Sequence, residues 1–145
     1  METPQAMADS AAHRWNGLHC TFTMERPARG VVVLRIAGHD VGEFGEAPLR
    51  ALEGYLSADE SIALFIDARN TGGASFDVSG AWAQWLAAHR TRCAPIAMLT
   101  GSRFIEVTAR FVRSFAGLDT VMRLYSDATA FDRDLGAAVA RAKAG

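Results

Sequence analysis

The sequence predicts an α/β domain built on a mostly parallel five-stranded sheet, with an antiparallel hairpin at its start. Three observations carry this. Short apolar runs alternate with helical patterns along the chain, which calls for parallel strands and crossover helices. A Pro/Gly turn, Arg26-Pro27-Ala28-Arg29-Gly30, joins the first two strand signals and predicts a hairpin between them. The run Ile62–Ile66 is continuously apolar, the mark of a strand covered on both faces.

In order, His19–Met24 alternates side chains and predicts the first strand; Val31–Ala37 predicts the second, closed by Gly38. Pro48 suits the first turn of a helix, and Leu49, Leu52, Tyr55 and Leu56 give that helix its apolar stripe. Ile62–Ile66 is the third strand. Asp67–Phe76 reads as a loop, with Asn70 and Gly72-Gly73 as breakers. A second helix starts near Asp77, with Trp82, Trp85, Leu86 and His89 on one side. Ile96–Leu99 is the fourth strand, after Pro95. Ser102 caps a third helix, whose inner face is expected to be Phe104, Val107, Thr108, Phe111 and Phe115, and whose outer face Arg103, Glu106, Arg110 and Arg113, with Gly117 as its stop. Thr120–Tyr125 is the fifth strand, and Asp127 caps a last helix that packs through Phe131, Leu135 and Val139. The expected order is β-β-α-β-α-β-α-β-α.

At 145 residues, with 50% hydrophobic and 21% charged side chains, the chain fits one globular domain. Residues 1–16 are expected to be a loose tail, with Trp15 docking on the body, and 17–145 the domain. The formal net charge of -1 lacks the basic footprint of a nucleic-acid binder. The longest apolar run, Val31–Ala37, is too short to span a bilayer, and Met1–Ser10 has no apolar core of a secretory signal, so a cytoplasmic location is expected. Cys20 and Cys93 are expected to be reduced and buried.

Chemical motifs are sparse. No phosphate-loop or dinucleotide signature occurs, Ser79 is not in a nucleophile elbow, and His13, His19, His39 and His89 show no metal spacing. No cofactor is implied. His39-Asp40 is a lone acid/base pair in a glycine-bounded turn; a non-enzymatic role is expected. Gly72-Gly73 follows a strand and precedes a helix, so it is either a phosphate-binding turn or, as is commoner, a turn needing positive φ. The segment Phe76-Asp77-Val78-Ser79-Gly80-Ala81-Trp82 is the most informative. With Asp77 as the N-cap, Ser79 falls at the second helical position, exposed at the positive end of the helix dipole. A phosphate there would be tolerated by the helix and would add about two negative charges beside Asp77. The alternative is a plain cap, with Ser79 and Gly80 present for their size. Trp82 and Trp85, three apart, cannot both point straight into the core; the outer one would mark a ligand or partner surface.

These residues resemble STAS domains, the class that includes bacterial anti-sigma factor antagonists (SpoIIAA-like proteins) and the cytoplasmic tails of sulfate transporters. Ile62–Asp67 is similar to the family strand that ends in Asp. Asp77-Val78-Ser79-Gly80 is similar to its Asp-Ser-Ser/Thr-Gly segment, with Val78 in place of the first hydroxyl. Phe115-Ala116-Gly117-Leu118-Asp119, Met122–Tyr125 and Asp127–Phe131 are similar to its closing helix–strand–helix segment. The resemblance implies Ser79 as phosphoacceptor and a signalling partner, such as a switch kinase or anti-sigma factor, docking around Asp77, Ser79, Gly80, Gly72 and Gly73. The looser, SEC14-related branch, which keeps the fold without the regulatory serine, implies instead a lipid or other apolar ligand, or no known activity; a cleft for such a ligand is expected beside Trp82 and Trp85. Sheet edges leave a dimer open.

Overall fold

The computed structural model describes residues 12–145. Six strands form one sheet in sequential order: β1 (His13–Asn16), β2 (Cys20–Ala28), β3 (Val31–Asp40), β4 (Ile62–Ala74), β5 (Cys93–Thr100) and β6 (Met122–Tyr125). The first three pair antiparallel and the last four parallel. Helices α1 (Ala47–Asp59), α2 (Phe76–Ala88) and α3 (Arg103–Phe115) cross between the parallel strands, and α4 (Ala128–Ala144) closes the chain.

Because β3 to β6 lie in chain order, right-handed crossovers put α1, α2 and α3 on one face of the sheet. The packing follows. Leu34, Leu64 and Ile96 pack with Leu52, Leu86 and Val112 in one core. Val33, Phe65 and Leu99 pack with Phe131 of α4 in the other. Alternate residues of β3 thus feed opposite cores: Val32 and Leu34 one, Val31 and Val33 the other. Phe131 is fully buried between Phe65 and Tyr125, edge-on to both rings.

Four expectations are corrected. The sheet has six strands, not five, because His13–Asn16 pairs with Thr21–Met24 and Trp15 packs edge-on to Phe22 at 5.7 Å. The expected tail therefore does not extend to residue 16; residues 1–11 lie outside the described residues. Next, β4 does not stop at Asp67. It continues through the expected loop to Ala74, alongside β3 as far as Asp40, across two irregularities in register.

Gly72 and Gly73 lie in this strand, and neither has positive φ. They are small for a different reason. A Cβ on Gly72 would stand 2.8 Å from the His39 ring, and one on Gly73 2.9 Å from it. The glycines let that ring lie across the β4 backbone.

The last correction concerns α3. Its core-facing residues are Ile105, Ala109 and Val112. Phe104, Val107, Phe111 and Phe115, expected inside, are exposed. The caps of α3 and α4 match expectation: Ser102 accepts from the Ile105 N–H at 3.2 Å and Asp127 from the Thr129 N–H at 3.0 Å.

Candidate functional site

Because β4 runs to Ala74, α2 must start at once. Ser75, in extended conformation, is its N-cap, accepting the Val78 N–H at 3.2 Å. Asp77, expected as the cap, is instead an exposed acid of the first turn. Ser79 is two residues further into the helix than expected, and its backbone N–H already donates to Ser75 O at 3.0 Å. The residue is half-buried and borders a cavity between α2 and α3. Gly80 is half-buried, Gly72 exposed and Gly73 buried.

Between α2 and α3, over the ends of β3, β4 and β5, lies a cavity of about 100 Å³. Leu34, Ile66 and Met98 form its floor; Trp82 and Leu86 of α2 and Ala109 of α3 are among its walls. The surface it presents is almost wholly carbon, although Asp40, Thr71, Ser79 and Thr108 border it. The hydrogen bonds explain this. Thr71 Oγ1 donates to Ile36 O at 2.9 Å, Thr108 Oγ1 to Phe104 O at 3.2 Å, and the Asp40 carboxylate accepts the Gly42 N–H at 3.1 Å. The threonine hydroxyls and the Asp40 carboxylate are thus engaged with backbone at the rim.

The two tryptophans divide as their spacing requires. Trp85 is buried; its Nε1–H donates to Glu53 Oε2 at 3.0 Å, and its ring stacks on His89 at 4.0 Å. Trp82 is half-buried, stacks on Phe22 at 6.0 Å and forms a wall of the cavity. On the far side of Trp82 a second depression, of about 210 Å³, lies between the Asp40–Glu46 loop and the starts of α1 and α2. The sequence puts a cleft beside both Trp82 and Trp85, but only Trp82 lines this cavity; its α3 wall went unread, because Ile105, Ala109 and Val112 are less conspicuous than Phe104, Val107, Phe111 and Phe115 beside them.

Other sites offer less. Most of the charges lining the hollow around β6 and α4 are already paired, Arg113 with Asp119 and Arg123 with Asp134. His39 is exposed, Asp40 is buried, and the two side chains make no hydrogen bond to each other. Burial pushes the Cys93 thiol up to about 12. Burial, followed by the carboxylates of Asp40 and Glu43, pushes Cys20 up to about 11. Neither is a nucleophile at neutral pH. Among the described residues, no three His, Cys, Asp or Glu side chains converge on a metal-sized site, and no helix is long and apolar enough to cross a membrane.

No protein-family model matches the sequence, and no curated protein matches it. Solved structures do. The chain is similar to an uncharacterized protein of the DUF3478 family with a SpoIIAA-like fold, from Shewanella loihica PV-4, with a TM-score of 0.59 and 17% identity over 83% of this chain and 98% of that one. It is also similar to an anti-sigma factor antagonist from Mycobacterium paratuberculosis, with a TM-score of 0.46 and 21% identity over 80% of this chain and 93% of that one. A mixed sheet opened by an antiparallel hairpin, continued in parallel and crossed by alternating helices, together with the first of these similarities, makes this a SpoIIAA-like fold.

Proposed function

We propose that the chain is a non-catalytic binding module that takes a small apolar group, such as a lipid chain or comparable hydrocarbon, into the cleft between α2 and α3. The observation that carries this reading is the carbon-lined cavity of about 100 Å³ beside Trp82. A dry apolar void deprives its walls of dispersion contacts, at a cost of about 24 cal/mol per Å³. A hydrocarbon occupant restores them without having to displace well-held water. Apolar cavities of about 150 Å³ bind benzene-sized molecules, so the smaller space here, about 100 Å³, suits a chain of a few carbons. Native mass spectrometry of the protein purified from its own cells tests the proposal. An apolar molecule released on unfolding supports it; apo protein that also ignores added 1-hexanol in thermal melts contradicts it.

The second reading, a regulatory interaction module resembling an anti-sigma factor antagonist and switched at Ser79, draws support from the acid–Val–Ser–Gly segment opening α2 and from Ser79 being only half-buried. The geometry favours it less. Ser79 lies beyond the free N–H groups of the helix end, and its side chain borders a carbon-lined wall, where a dianion is costly. Phosphopeptide mapping of Ser79 from native cells and partner binding by Ser79→Asp test it: an unmodified serine and unchanged binding remove it.

A further inference from the structure

The exposed stripe of α3 is a second functional feature, separate from the cleft's contents. Phe104, Phe111 and Phe115 are 64%, 54% and 62% exposed, and Phe76 at the start of α2 is 82% exposed. The α3 members recur at helical spacing with Val107 between them, and Phe111 stacks on Phe115 at 6.0 Å. Phe104 packs toward Gly73, three residues before Phe76, so the stripe and Phe76 share one end of the sheet. At ~150–250 Å² for each ring, these exposures leave roughly 500 Å² of aromatic surface in water, at the upper end of what a monomer carries without a partner.

We propose that this surface is the interface of a two-fold dimer of the chain. Two features identify a second copy as the occupant. The first is area: two such stripes face to face bury roughly 1,000 Å² of aromatic surface, close to the ~1,200 Å² floor of a stable interface before any rim residue is counted. The second is charge. Arg103 and Asp77 flank Phe104 and Phe76, both are exposed, and neither has an ion-pair or hydrogen-bond partner among the described residues. Opposite, unsatisfied charges at one end of a patch are self-complementary under two-fold symmetry. With the axis running along α3, Arg103 of one copy meets Asp77 of the other. Of the remaining α3 charges, Arg110 holds Glu106 at 2.7 Å and Arg113 lies 3.8 Å from Asp119 just beyond the helix, so among the described residues Arg103 is the one basic group of α3 left for a partner, too few to draw the stripe to an anionic bilayer.

Sedimentation velocity of the full chain from about 1 to about 200 µM reads the monomer–dimer equilibrium directly. Wild type is expected to dimerise. Phe111→Asp is expected to weaken association at least ~30-fold, and Phe115→Ser, a milder change on the same exposed stripe, to weaken it in the same direction; circular dichroism melts confirm that both remain folded. Asp77→Arg and Arg103→Asp are each expected to weaken association by about 2–5-fold, and the double variant to recover it. A monomer at every concentration overturns the proposal. So does a dimer indifferent to Phe111→Asp, or a monomer that sediments with phosphatidylglycerol vesicles through this stripe.

Discussion

Replacing Ala109 by Met tests the cleft by filling it. Ala109 is 2% exposed on the inner side of α3 and borders the cavity. The new side chain adds three heavy atoms, is unbranched and adapts to irregular space, and methionine is nearly as good a helix former as alanine. At about 24 cal/mol per Å³, filling all of the ~100 Å³ void returns at most about 2.4 kcal/mol. Ordering the methionine costs up to about 1.5–2 kcal/mol. The net expectation is a gain of about 0.5–1 kcal/mol, or roughly 2–4 °C per kcal/mol in Tm for a chain of this length. Urea unfolding gives the free energy, and thermal melts with and without 1-hexanol give the ligand's contribution. Hexanol should raise the Tm of wild type, since a ligand that binds only the folded state stabilises it by mass action, and should leave Ala109→Met unmoved. A variant destabilised by more than about 1 kcal/mol, as overpacking produces, with the hexanol shift intact, would refute the reasoning.

Three further outcomes follow from the contacts. Asp59, 2% exposed in its side chain, receives two hydrogen bonds of 2.7 Å from Arg26 and one of 2.9 Å from Gly30 N–H; the Arg26 hydrogen bonds hold its carboxyl below the usual range. A depressed acid stabilises the fold above its unfolded pKa, and that stability is lost as pH falls through the folded value. Asp59→Asn should therefore cost about 1.5–3 kcal/mol at pH 7, the range for hydrogen bonds to a charged group, and flatten the loss of stability below about pH 4, both read from urea melts across pH. Ser75→Ala should cost about 1 kcal/mol through the lost cap of α2, whereas Asp77→Ala should cost only a few tenths; the reverse ranking would restore Asp77 as the cap. Cys20 and Cys93, raised to about 11 and about 12, should resist iodoacetamide at pH 8 in the native protein and label fully once it is unfolded, as intact mass would show.

Much of the fold was legible because its signals are local. The Val31–Leu34 and Ile62–Ile66 runs, the caps at Ser102 and Asp127, and the stop at Gly117, which takes φ +71°, each announce their element without help from the rest of the chain. What could not be read locally depends on neighbours. Asn70, Gly72 and Gly73 look like breakers, yet β3 runs beside them and holds them in the sheet; the glycines answer to a histidine more than thirty residues away. His13–Asn16 is polar and short, and only its pairing with β2 makes it a strand. The cap of α2 moved from Asp77 to Ser75 because the longer β4 left no loop before the helix. On α3, two adjacent apolar arcs compete for the core. Aromatic size favoured the phenylalanines, but close packing over the sheet selected the smaller Ile105, Ala109 and Val112. That choice is what leaves room for the cavity, so the site was least legible where its α3 wall is concerned.

The central claim is that a hydrocarbon enters the space between α2 and α3, and intermolecular nuclear Overhauser effects to bound 1-hexanol test it most directly. Occupancy of the cleft gives cross-peaks from the hexanol chain to the methyl groups of Ile66, Ile105, Ala109 and Val112, and their loss in Ala109→Met. Cross-peaks confined to the exposed rings of Phe104, Phe111 and Phe115, or none at all, would contradict it.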